Sequence, residues 1–116
     1  MFYLSLGAWS PANNDMNPYI EADLTADSLV YYVITQSHAS MEFFVTAYTI
    51  TLRRNDETET NIPRVFTGNT AVGTTVSNAL PDGSVARYVR LLPEPLATPR
   101  ALRWELIGCY AQSKQL

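Results

Sequence analysis

From Arg64 to Cys109 the chain is a succession of short β-branched and aromatic runs, each closed by turn residues. R-V-F-T-G-N-T is followed by V-A-R-Y-V-R-L-L-P and then by A-L-R-W-E-L-I-G-C. Runs of this length, bounded by Gly, Pro, Asn and Asp, are what many short strands in a sandwich or barrel require. Pro93, Pro95 and Pro99 remove backbone donors and fix φ, which excludes a helix between the last two runs. No stretch of the chain shows a helical period, so the fold class is all-β.

The same reading extends upstream. Tyr19–Leu24 is the first expected strand, after the turn-rich Ser10–Pro18. Leu29–Gln36 is nearly all apolar or β-branched and is expected to be buried on both faces. Phe44–Leu52 alternates, with Tyr48, Ile50 and Leu52 on one face and Ala47, Thr49 and Thr51 on the other. Asn55–Asn61 is polar and acidic and reads as a hairpin loop. Arg64–Phe66, Thr74–Ala79, Val85–Leu92 and Ala101–Ile107 complete the strands. Pro81-Asp82-Gly83 forms a turn, because Pro fixes φ and Gly accepts φ > 0. Trp104 alternates with Leu102 and Leu106 and belongs to the core, while Arg87 and Arg90 are placed on opposite faces of their strand.

A chain of 116 residues is one domain with room for one core. The net charge of −3 gives no electrostatic case for a nucleic-acid partner. One Cys and one His at unrelated positions build no metal site, and no cofactor motif is present. Neither G-x-S-x-G nor H-E-x-x-H occurs, and Glu21 and Asp23 are ordinary strand-surface neighbours, so no catalytic residues are assigned. No apolar run is long enough to span a bilayer. The opening M-F-Y-L-S-L-G-A-W has no basic n-region and too short an apolar stretch for a signal peptide.

In their order and spacing the three runs between Arg64 and Cys109 resemble the second half of a discoidin domain, the factor V/VIII type C module. Upstream, G-A-W-S-P at Gly7–Pro11, Y-I-E-A-D-L at Tyr19–Leu24, V-I-T-Q-S at Val33–Ser37 and F-V-T-A-Y-T-I at Phe44–Ile50 resemble further motifs of that family. The resemblance implies a discoidin-like (galactose-binding-like) antiparallel β-sandwich, or jelly roll. It also implies a non-catalytic recognition and cell-adhesion module, extracellular or at the cell surface. Residues 1–110 would be a partial domain missing its first strands, with 111–116 a C-terminal tail. The cysteine that bridges in the family to the position of Cys109 falls outside this chain, leaving Cys109 as a thiol or bridged between chains. Two departures stand out. Ser37 replaces a usual glycine at the base of a loop, so that loop's backbone is expected to differ. The Asn55–Asn61 hairpin lacks the family's D-G-x-x-W element.

By the same resemblance the ligand meets loops at one end of the sandwich. The partners it implies are a cell-surface glycan, a matrix protein or a membrane phospholipid. The Ser37–Phe43 loop, with His38, Met41 and Phe43, is the segment for a phospholipid head group. Two apolar tips would favour insertion, while Glu42 opposes an anionic surface and His38 helps only below about pH 6.5. Trp9, with Thr35 and Thr70, is the candidate wall of a pocket for a peptide or a galactose-type sugar, since an aromatic face beside hydroxyls suits both. The alternative for Trp9 is a structural plug. Arg103 and Glu105 resemble a pair in the family motif, and Arg103 forms a partly buried ion pair, orients the loop end, or touches the ligand.

Overall fold

The computed structural model describes residues 1–9, 18–37, 45–94 and 101–110. All regular structure among them is β: β1 (Phe2–Trp9), β2 (Ile20–Gln36), β3 (Ala47–Arg53), β4 (Glu59–Asn61), β5 (Phe66–Thr67), β6 (Thr75–Ala79), β7 (Val85–Glu94) and β8 (Leu102–Tyr110). Every strand pairing is antiparallel, in the order β1-β8-β2-β7-β3-β4, with β5 on β3 and β6 on β2.

The 17-residue β2 belongs to both layers. Its first half, from Ile20 to Asp23, pairs with β7. Its second half lies between β8 and β6. The two expected strands Tyr19–Leu24 and Leu29–Gln36 are therefore one strand with a corner. At that corner Thr25 takes φ of 70°. The Asp23 carboxylate receives the Thr25 N–H at 2.8 Å, and Ser28 Oγ donates to the Ala26 carbonyl at 3.0 Å. Local side-chain bonds of this kind let a non-glycine residue hold the turn.

The layers close on one core. Leu102, Trp104 and Leu106 from β8 meet Tyr48, Ile50 and Leu52 from β3, Val89 and Leu91 from β7, and Val30 and Val33 from β2. The alternation read in β3 and β8 is present, with each of those six residues at most 3% exposed. Tyr48 stacks on Phe66 at 5.5 Å between centroids, and its hydroxyl accepts from Asn78 Nδ2 at 2.9 Å. Burial pushes this phenol up to about 12. The 81–84 turn has the expected chemistry: Ser84 N–H donates to the Pro81 carbonyl at 3.2 Å, with Gly83 at φ +80°.

Four expectations are corrected. Phe2–Trp9 is a strand, paired to β8 from Phe2↔Gly108 to Trp9↔Leu102, and Gly7 at φ +78° marks the irregularity between Ser5 and Ala8. β2 is not buried on both faces, because Tyr31 is an extra residue against β8 and both Tyr31 and Tyr32 are turned outward. The hairpin read at Asn55–Asn61 is present, but its loop is shorter: the turn spans Arg54–Thr58, and Glu59–Asn61 already pair with β3 as β4. Arg87 and Arg90 share one face: Arg87 Nε lies 3.0 Å from Asp23 and Arg90 Nη2 3.2 Å from Glu21. The alternation of β7 changes phase here, with Ala86 buried and then Val89 and Leu91, where the corner of β2 between Asp23 and Ser28 stands opposite Arg87.

Candidate functional site

Strand directions bring one set of connections to a single end of the sandwich. There β1 finishes at Trp9, β2 at Gln36, β7 at Glu94, and β8 begins at Leu102. The 68–74 loop between β5 and β6 lies at the same end, since Thr75 pairs with Gln36.

This loop is fixed by close backbone approach. Gly68 and Asn69 donate their N–H groups to the Thr46 and Val45 carbonyls at 2.8 and 3.0 Å. A Cβ on Gly68 would stand 2.2 Å from the Val45 oxygen, so only glycine fits. Asn69, 1% exposed, is the inner anchor. Its Nδ2 donates to the Thr35 carbonyl at 3.2 Å, the Thr74 carbonyl at 2.9 Å and Thr74 Oγ1 at 3.2 Å. Ser37 completes the clamp. Its N–H donates to the Thr74 carbonyl at 3.1 Å, and its Oγ accepts from Thr74 N–H at 2.9 Å. A serine at this position thus ties two connections together, which a glycine there has no side chain to do.

Beside the clamp, on the outer face of β1, β8 and β2, four polar side chains form a chain. Arg103 Nη2 donates to Gln36 Oε1 at 2.9 Å, Gln36 Nε2 to Glu105 Oε1 at 3.4 Å, and the Tyr3 hydroxyl to the same carboxylate. The bond to Glu105 raises the Tyr3 phenol above its ordinary value. A pocket of about 230 Å³ opens here, lined by Ser5, Gly7, Gln36, Arg103, Trp104 and Glu105. Arg103 meets Gln36 here, in place of the expected ion pair with Glu105.

Trp9, half-buried, packs against the core next to Leu102. Thr35 is fully buried and sits opposite Trp104, so it underlies this end without forming its surface. Thr70 is exposed on the loop, and Arg103 is exposed on the outer face. His38, Met41 and Phe43, and with them the proposed phospholipid loop beyond Ser37, lie outside the described residues. Sequence reasoning missed Gln36, Asn69 and the Tyr3–Glu105 contact, because each depends on strand neighbours far apart in the chain. Cys109 is half-buried on β8, opposite Leu29. Among the described residues no group of His, Cys, Asp and Glu side chains is arranged to hold a metal ion.

The family model for the F5/8 type C domain matches residues 5–106. Retinoschisin from Takifugu rubripes is 31% identical over 109 residues, covering 88% of this chain and 39% of that protein. Coagulation factor VIII from Mus musculus is 32% identical over 114 residues, covering 92% of this chain and 5% of that protein. The solved structure of wild-type discoidin II from Dictyostelium discoideum superposes with a TM-score of 0.82 at 20% identity, covering 94% of this chain and 44% of that one. The chain spans half or less of the length of the retinoschisins it matches.

Proposed function

The chain belongs to the F5/8 type C, or discoidin, domain family, and on that footing we propose that it is a non-catalytic recognition and adhesion module. It works outside the cell or at its surface, and takes a cell-surface or matrix ligand at the end of the sandwich that carries Trp9, the 68–74 loop and Arg103. The observation behind this reading is the clamp of Gly68, Asn69, Thr74 and Ser37. It holds an exposed loop on a rigid scaffold, an arrangement that preorganises a binding surface. In a cell-surface retention assay, saturable binding is expected, with loss in Arg103→Ala and in Thr70→Arg. Retention that survives both substitutions would refute the assignment of this end.

A second reading, a galactose-type carbohydrate module, is favoured by the pocket on the outer face. Gln36 and Arg103 offer donors there, and Glu105 and Ser5 offer acceptors, the mixture that sugar hydroxyls demand. Titration with galactose should move the Gln36 side-chain amide resonances if this reading holds. Binding to anionic vesicles with no response to sugar would instead favour a phospholipid partner.

A further inference from the structure

The opposite end of the sandwich carries a second concave surface, between the extra residue of β2 and the turn at Pro81–Ser84. A pocket of about 340 Å³ there is lined by Val30, Tyr31, Tyr32, Leu80, Asp82 and Gly83 among others. The irregularity that makes it is specific. Val30 pairs with Gly108 and Tyr32 with Ile107, so Tyr31 is inserted between them. Without that insertion Tyr32 would alternate inward with Val30; with it, both rings face solvent, 39% and 43% exposed.

The seven tyrosines of the chain are all among the described residues, and five are engaged. Tyr3 bonds Glu105, Arg90 lies over Tyr19, Tyr48 meets Asn78 and Phe66, Arg53 lies over Tyr88, and Tyr110 packs on Phe2. Tyr31 and Tyr32 make no such contact with the described residues. Nor does the Asp82 carboxylate on the facing turn, whereas the acids Glu21, Asp23 and Asp27 each meet an arginine. The only formal charge lining this pocket is therefore one carboxylate, beside two aromatic rings.

We propose that this pocket binds an organic cation, an ammonium or guanidinium group. The charge would be met by Asp82 and the alkyl surface by the rings of Tyr31 and Tyr32. A cation is attracted both to aromatic faces and to a carboxylate, and this pocket sets the two side by side. Elsewhere in the same molecule arginines already lie over tyrosines, at 3.9 Å for Arg53 on Tyr88 and 4.1 Å for Arg90 on Tyr19.

The test is a titration of the protein, labelled at its tyrosine rings, with choline chloride and with its uncharged carbon isostere 3,3-dimethylbutan-1-ol. A parallel titration uses N-acetylarginine methylamide. Shifts of the Tyr31 and Tyr32 ring signals are expected with at least one cation, and about fivefold weaker or absent with the isostere. Response to choline points to a quaternary ammonium headgroup, and response to the arginine derivative to a side chain of a protein partner. Asp82→Asn should weaken the response about fivefold, whereas Tyr32→Phe, which keeps the ring face, should retain it. Asp82 lies on an exposed turn whose backbone depends on Gly83, so the Asn variant is expected to keep the native dispersion of core signals. Equal response to the isostere, an unchanged response in Asp82→Asn, or no shift at high millimolar cation would each overturn the proposal.

Discussion

Asn69→Asp removes two protons and almost no volume, which makes it a sharp test of how the 68–74 loop is held. In the native chain the Asn69 amide donates to the carbonyls of Thr35 and Thr74 and to Thr74 Oγ1, at 3.2, 2.9 and 3.2 Å. Two of these partners are carbonyls, which only accept, so the amide nitrogen must face them. Each such bond contributes about 1 kcal/mol net, which places Asn69→Ala about 2–3 kcal/mol below the native chain. Aspartate should do no better. Ionised, it sets a carboxylate against two carbonyl oxygens in a 1%-exposed site. Protonated, it has one hydrogen for two acceptors. The expected loss for Asn69→Asp is about 3–4 kcal/mol, or roughly 12–16 °C in Tm at about 4 °C per kcal/mol for a chain of this size. Urea unfolding followed by tryptophan fluorescence measures it, since Trp104 is buried nearby. If Asn69→Asp unfolds within about 0.5 kcal/mol of the native chain while Asn69→Ala is destabilised, shape matters and donation does not. The account of the clamp would then be wrong.

Other outcomes follow from the same structure. Gly68→Ala must move either the loop or the Val45–Thr46 backbone that leads into β3, because its Cβ would meet the Val45 oxygen at 2.2 Å; a loss of about 2 kcal/mol or more is expected in a denaturant melt, and a neutral result would contradict the close approach. The Tyr48 phenol has its folded value raised from 10.0 to about 12, so its contribution is whole below pH 10 and is lost as pH climbs towards 12. Up to about 3 kcal/mol should disappear over that window, and Tyr48→Phe should abolish this component of the alkaline limb. Asp23 runs the other way. The Arg87 guanidinium and then the Thr25 N–H hold its carboxyl below the ordinary 3.8, so its contribution is present above that value and fades as pH falls through the lower one. In Arg87→Ala the Asp23 carboxyl midpoint, followed by NMR, should move upward; a fixed midpoint would mean the arginine is not the main cause.

The regions of the fold that sequence made legible are those governed by local period. Tyr48, Ile50 and Leu52 and, on β8, Leu102, Trp104 and Leu106 alternate so regularly that their inward face needed no tertiary information. Corners defeat that logic. The Thr25-Ala26-Asp27 segment reads as a break between strands, yet β2 passes through it because Asp23 and Ser28 supply the local bonds. The face of Arg87 departs from simple alternation at the same corner, where the buried positions of β7 shift phase between Ala86 and Val89. Tyr32 is likewise outward only because an inserted residue precedes it. At the loop end Trp9 and Arg103 were singled out by the resemblance, and the structure places each beside a strand end. Asn69 was not, because its bonds reach Thr35, 34 positions away, and a polar residue in a turn is normally solvated. Ser37 was noticed only as a departure from glycine, and its partner Thr74 lies 37 positions on.

The pairing of β1 with β8 also settles how the module would respond to a pull. Phe2 faces Gly108 and Trp9 faces Leu102, so the outer ends of the two strands lie side by side, at the end of the sandwich remote from the 68–74 clamp. Force applied at Phe2 and Tyr110 loads this ladder from one end. Its hydrogen bonds then break in succession, as in a zipper, with no requirement that all fail together in shear. Opening would run from the Phe2–Gly108 pair towards Trp9, so the loop end would be the last region disturbed. A recognition surface at that end would keep its shape while the strands behind it began to peel.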